Sequence, residues 1–292
     1  MLRQSTGPRV IADAGALRAL VAKARRDGQS IGLVPTMGAL HAGHLSLVDA
    51  ARRECGFTAV SIFVNPTQFG PREDFARYPR TLEADLQSLA GRGVDAVFTP
   101  STEAMYRADH ATFVEMAGPA LPLEGEFRPG HFRGVATIVL KLFHMVAPDR
   151  AYFGHKDYQQ SLIVRQLVKD FNLPIEIVVC PTVREPDGLA LSSRNVFLSA
   201  DERRRALAIS QSLQLVRQLI TDGTRDAGTL LARVHERLSA AELQVDYVAL
   251  ADPETLLPVE TVVRPALLAI AARVGNTRLI DNDIVGGPPA TT

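Results

Sequence analysis

The feature that most constrains this chain is an alternation running through its first two-thirds. Short apolar runs rich in β-branched residues are each followed by a stretch with helical spacing. Ser30–Pro35, Phe57–Val64, Val94–Phe98, Ala151–Phe153 and Ile175–Cys180 read as strands. Leu45–Cys55, Thr81–Ala90, Val135–Val146 and Tyr158–Phe171 read as helices. Runs apolar at consecutive positions, rather than at every second one, suit strands buried on both faces. Strand–helix–strand order then predicts βαβ units and a parallel sheet.

The pattern changes near Pro181–Gly188. Ala206, Ile209, Leu213, Val216 and Ile220 recur at the spacing of one helical face, Ser199 and Glu202 form a capping box before them, and Gly223 fits the end. A second helix over Ala227–Ala240 and strands over Gln244–Leu250 and Ala266–Val274 follow. The expectation is a Rossmann-like domain over 1–182 and a smaller α+β lid domain over 183–292. The Gly/Pro/Thr tail from Gly286 is expected to fray.

Composition narrows the function classes. Lys plus Arg is 32 and Asp plus Glu is 32, so net charge gives no nucleic-acid or membrane partner. No unbroken apolar run reaches membrane-spanning length and Met1–Val10 lacks a signal-peptide core, so the expectation is a cytoplasmic protein. Cys55 and Cys180 sit in or beside apolar segments, which fits two reduced thiols.

Four segments carry chemistry. Met37, Gly38, Ala39, Leu40, His41, Ala42, Gly43 and His44 follow a strand and open a helix. Amides at a helix start favour anions, and two imidazoles three residues apart share one side of the first turn, so phosphate is the expected guest. Asn65 and Gln68 end the second strand, where ligands of open parallel sheets bind; Asn65-Pro66 alone is also an ordinary turn starter. Gly154, His155, Lys156 and Asp157 again join strand to helix, and Lys156 suits a polyphosphate. Ser192, Ser193 and Arg194 form a compact phosphate clamp or, read alone, a polar turn. Arg128–Gly134 is a glycine-rich cationic loop that suits a lid. Asp85 offers an oxygen to Mg²⁺ or is a solvent-facing helical aspartate. There is no GxxxxGK[ST] sequence, so the chain is not a P-loop NTPase.

These segments occur here in one order as PTMGALHAGH, FVNPTQF, EDFARYPR, RPGHFRGV, FGHKDYQQ, GLALSSRN and TRLIDN. Together, from Ser30 to Asn282, they resemble the pantothenate synthetase family. The resemblance implies a Rossmann-like nucleotidyltransferase fold, a homodimer, and ligation of pantoate to β-alanine with ATP and Mg²⁺ through a pantoyl-adenylate. It implies His44 as proton donor, with His41, Lys156 and Arg194 as its catalytic companions. Met37 to His44, Gly154 to Asp157, Val183 and Leu191 to Arg194 would bind ATP. Gln68 and Gln160, with Asn65, would hold pantoate, and Gln68 also β-alanine. The chain departs from the family at Ala42 and Asn276, where acidic residues are common, at His155, where Glu or Gln is frequent, and at Arg107, where Pro is usual. A nucleotidyl transferase that keeps the adenylyl group on its product, or an inactive nucleotide-binding partner, are the alternatives from the residues alone.

Overall fold

In the computed structural model of the chain, residues 7–71 and 73–287 are described. They pack as two units. The first takes the chain up to Ala120, then Glu124–His155 and Gln159–Pro181; the second takes Leu121–Leu123, Lys156–Tyr158 and the chain from Thr182 on.

The first unit is built on β1 (Arg9–Ile11), α1 (Ala14–Arg26), β2 (Ile31–Thr36), α2 (Ala42–Glu54), β3 (Phe57–Ile62), α3 (Leu82–Leu89) and β4 (Ala96–Phe98). It continues through α4 (Thr102–Met105), α5 (Glu124–Phe127), α6 (His131–Val146), β5 (Arg150–Gly154), α7 (Tyr158–Asp170) and β6 (Glu176–Cys180). Its six strands form one parallel sheet in the order β1-β4-β3-β2-β5-β6. Because β2 lies between β3 and β5, the chain winds to one side of β2 and then to the other. That reversal is the switch point at which open α/β sheets bind ligands.

Both faces of the sheet are covered, which explains the consecutive apolar runs. On one face α6 sets Phe132, Val135, Val139 and Phe143 with Leu17 and Val21 of α1 against Ile31 and Leu33. On the other, Leu47, Val48 and Ala51 of α2 pack with Val34, Val60, Val97 and Tyr152. Each fully buried aliphatic chain of this kind stabilises the fold by about 1.5–3 kcal/mol through lost water contact. Cys55 and Cys180 are free and buried, as the composition predicts.

The second unit joins α8 (Ala200–Thr221) and α9 (Ala227–Ala240) to an antiparallel sheet of β7 (Gln244–Ala251), β8 (Ala266–Val274) and β9 (Thr277–Val285), in that order. The Ser199–Glu202 capping box opens α8, and Asp226 caps α9 by accepting from the Thr229 amide at 2.6 Å. Leu213, Val216, Leu230, Val234, Leu268 and Ile270 form its core.

The structure adds elements to the sequence reading and corrects others. The β1–α1 pair and β9 belong to the fold although the apolar-run pattern starts at Ser30 and stops at Val274. Helix α6 begins at His131, four residues earlier than Val135, because its first turn packs on the turn Pro66–Gln68. Gly134 has no Cβ there for a reason: one would lie 2.4 Å from the Thr67 carbonyl oxygen and 2.6 Å from the Gln68 nitrogen. Asp85 is not a solvent-facing aspartate; it is 2% exposed. The tail residues 288–292, expected to fray, lie outside the described residues.

Candidate active site

The carboxyl ends of the three central strands, β3, β2 and β5, carry three of the four predicted segments. The loop after β2 is held almost wholly by its own amides. Gly38 N–H donates to Thr36 Oγ1 at 3.2 Å, while Ala39 and Leu40 N–H donate to the Asp85 carboxylate at 3.0 and 2.8 Å. Gly38 (φ +79°) and Ala39 (φ 49°) are both left-handed, the second at a cost of about 1 kcal/mol for a residue with a Cβ. Asp85 is what keeps them there, and Thr81 Oγ1 in turn donates to Asp85 at 3.2 Å.

Helix α2 then opens with a capping box made of two histidines. Gly43 N–H donates to His41 Nδ1 at 3.1 Å, and His41 N–H reaches His44 Nδ1 at 3.4 Å. A neutral imidazole whose Nδ1 accepts carries its proton on Nε2. Both rings, their centroids 4.1 Å apart, are thereby fixed as Nε2–H donors. The N–H groups of Gly38, His41 and Gly43 are used within the loop, and those of Ala39 and Leu40 by Asp85 of α3.

Asn65, Gln68 and Met37 come together at the end of β3. Asn65 Nδ2 donates to Gln68 Oε1 at 3.0 Å and to the Gly134 carbonyl at 3.1 Å; Gln68 Nε2 lies 3.0 Å from Met37 Sδ. Asn65 Oδ1 accepts from Tyr106 Oη at 2.8 Å. Both ends of the Asn65 amide are therefore set by protein, which points its neighbour Gln68 rather than leaving it to water.

The main chain of Gln68 is fastened from the opposite direction. Its carbonyl accepts from His131 Nδ1 at 2.8 Å, and Arg128 bridges His131 Nε2 at 3.1 Å to Glu73 at 2.7 Å. Burial, reinforced by the Arg128 guanidinium, pushes His131 down to about pKa 4. A neutral ring with Nδ1–H facing the carbonyl and Nε2 accepting from Arg128 satisfies both contacts. The Arg128–Gly134 loop, expected as a lid, is thus tied into the first unit: Arg128 is 15% exposed and His131 is buried.

After β5, Gly154, His155 and Gln160 are half-buried. Lys156 and Asp157, whose Nζ and Oδ1 lie 3.7 Å apart, pack with the second unit. There Asn282 of β9 donates to the Lys156 carbonyl at 2.7 Å. The predicted serine–arginine segment belongs to the same unit. Leu191 N–H donates to the Val183 carbonyl at 3.0 Å, closing a hairpin, and the Ser192 hydroxyl accepts from Arg194 N–H at 3.3 Å. Arg203 ties Glu185 and Asp187 of that hairpin, holding the Glu185 carboxyl below its usual range.

The predicted residues thus gather as a histidine and amide-side-chain set at the switch point, and a lysine and serine–arginine set on the second unit. A family model described as "Pantoate-beta-alanine ligase" matches residues 9–284. The chain belongs to the pantoate–β-alanine ligase family. It is 56% identical over 271 residues to pantothenate synthetase of Moorella thermoacetica, covering 92% of this chain and 96% of that one. It is 53% identical to the enzyme of Thermotoga neapolitana, covering 90% and 94%. The crystal structure of pantothenate synthetase from Thermus thermophilus superposes with a TM-score of 0.91 at 48% identity, over 96% of this chain and 100% of that chain. The ligase of Francisella tularensis, crystallised with β-γ ATP and β-alanine, superposes at 0.82 with 36% identity, over 95% and 97%.

Within that family setting, the residues the sequence reading missed are Asp85 as a loop fastener, and Arg128 and His131 as supports for Gln68. The signal for Asp85 was its place in the first turn of a helix facing a glycine turn. For His131 it was its position at the start of an apolar helix.

Proposed function

We propose that this chain joins pantoate to β-alanine with ATP, giving pantothenate, AMP and diphosphate through a pantoyl-adenylate. The observation that carries the mechanism is the pair of imidazoles at the end of β2, both set by their Nδ1 contacts to donate through Nε2.

The pantoate carboxylate attacks the α-phosphorus in line, forming the acyl–phosphate bond as the bond to diphosphate breaks. Positioning and charge stabilisation supply most of the rate. His41, His44, Lys156, Ser192, Ser193 and Arg194 spread the charge, with His44 donating its Nε2–H hydrogen bond to the leaving diphosphate. Met37 to His44, Gly154 to Asp157, Val183 and Leu191 line ATP; Gln68, Gln160 and Asn65 hold pantoate, and Gln68 also β-alanine. The neutral amine of β-alanine then attacks the acyl carbonyl, AMP leaves with its oxygen, and the ammonium proton passes to solvent.

Mg²⁺ enters with ATP as the substrate complex. The protein's own donors do not fit a resident ion: among the described residues no three His, Cys, Asp or Glu cluster to hold one, and both Asp85 oxygens accept from backbone amides. The expectation of Asp85 as its ligand gives way to the loop-fastening role. Residues 1–182 act as the ATP- and pantoate-binding domain and 183–292 as the smaller lid domain, in a cytoplasmic homodimer, the assembly the family resemblance implies. Among the described residues no helix is long and apolar enough to cross a membrane.

Mass spectrometry of the products tests the reaction. With ATP and pantoate the protein should hold pantoyl-adenylate, and free AMP should appear in step with pantothenate only once β-alanine is added. An adenylylated final product would instead support a nucleotidyl transferase.

A further inference from the structure

The TRLIDN segment near the C-terminus has no part in the chemistry above, yet it lies in β9 and buries two polar side chains in succession. Asp281 is 3% and Asn282 6% exposed. Successive strand residues point to opposite faces, and burying polar groups on both faces of an edge strand is costly unless each is satisfied. Each reaches a different part of the ligase machinery. Asp281 receives Arg184 as a two-pronged pair at 2.6 and 3.0 Å. Arg184 follows Val183 and pairs with Ala190 across the hairpin that leads into Ser192, Ser193 and Arg194. Asn282 donates to the Lys156 carbonyl at 2.7 Å. Two residues on, Tyr158 Oη donates to the Pro253 carbonyl just past β7 at 3.0 Å, so the Lys156–Tyr158 segment is stapled at both ends. Strand β9 also packs on the short helical turn Ser193–Phe197.

We infer that Asp281 and Asn282 are positioning residues for adenylation. One strand dipeptide sets the Lys156 ammonium and the serine–arginine hairpin in a common frame, although the two lie far apart in the chain. The inference rests on the ligase reading above. Asn282 acts through Lys156, and Asp281 acts through the hairpin.

The test is pantoate-dependent ATP–diphosphate exchange by the purified full chain. Removing the hydrogen bond to this half-buried carbonyl predicts a loss of about 5- to 30-fold in kcat/KM for ATP in Asn282→Ala. In a Lys156→Ala background the same substitution should cost less than about twofold, because its effect passes through the missing ammonium. Asp281→Asn should lower kcat/KM by a similar factor and should multiply with Lys156→Ala, since it acts through the hairpin. A merely structural Asn282 would cost the same in both backgrounds, and that result, or an unchanged rate in Asn282→Ala alone, overturns the inference. Should Asn282→Ala fail to fold, Asn282→Ser carries the same pair of comparisons. Absence of exchange in the unsubstituted protein overturns the ligase reading itself, which separates the two failures.

Discussion

His131 offers a test that needs no substrate. Its ring is buried against the Gln68 carbonyl and Arg128, and its pKa falls from 6.5 to about 4, burial being the larger cause and the Arg128 charge the next. In the unfolded chain the ring titrates near 6.5. Above that pH neither state holds the proton, and the contribution to stability is fully present. As the pH falls from about 6.5 to about 4, the unfolded chain binds a proton that the folded chain refuses. Stability therefore drops by up to about 1.4 kcal/mol per pH unit, reaching about 3 kcal/mol over the window. The perturbation is His131→Asn, which keeps an N–H for the Gln68 carbonyl and does not titrate. Urea unfolding of both proteins between about pH 7.5 and pH 5 cancels every titration they share. The variant should be less stable at neutral pH, and the gap should close by about 2 kcal/mol by about pH 5. Stability curves that stay parallel would show that His131 does not resist protonation, and the tautomer assigned to its contacts with Gln68 and Arg128 would fall with it.

Other consequences are as direct. Gly134→Ala drives a Cβ into backbone at 2.4–2.6 Å, so thermal unfolding should show a loss of about 3 kcal/mol or more; a melt within a degree of the original would refute the close packing of α6 on the Pro66–Gln68 turn. Asp85→Asn swaps an acceptor for an N–H facing a backbone N–H, which should cost about 1–3 kcal/mol in urea unfolding and raise the KM for ATP; an unchanged KM would separate the Gly38–Ala39 turn from nucleotide binding. Lys156→Ala and His44→Ala should each slow adenylate formation about 10²-fold in single-turnover experiments, and near-normal rates in both would reject their roles.

Much of this fold was legible in the chain because parallel strands buried on both faces write themselves as apolar runs. Phe57–Ile62 and Glu176–Cys180 fall where the runs predict them. The Ser199–Glu202 box and α9 were legible because capping and helical spacing are local. Edge strand β1, with three residues and two of them exposed, leaves no such trace. Strand β9 hides for a different reason: Asp281 and Asn282 break its apolar pattern because they are engaged with Arg184 and Lys156. The site divides the same way. His41, His44, Asn65 and Gln68 stand out by residue type and by their place at strand ends. The roles of Asp85, Arg128 and His131 are fixed by partners 45 to 63 residues away, a distance over which spacing carries no signal.

The central claim is that this protein activates a carboxylate with ATP before any amine arrives. Labelled diphosphate mixed with ATP and protein reports it directly. Label should enter ATP when pantoate is supplied without β-alanine, and should not enter without pantoate. No label in ATP under the first condition, or release of ADP and phosphate in its place, would contradict the account.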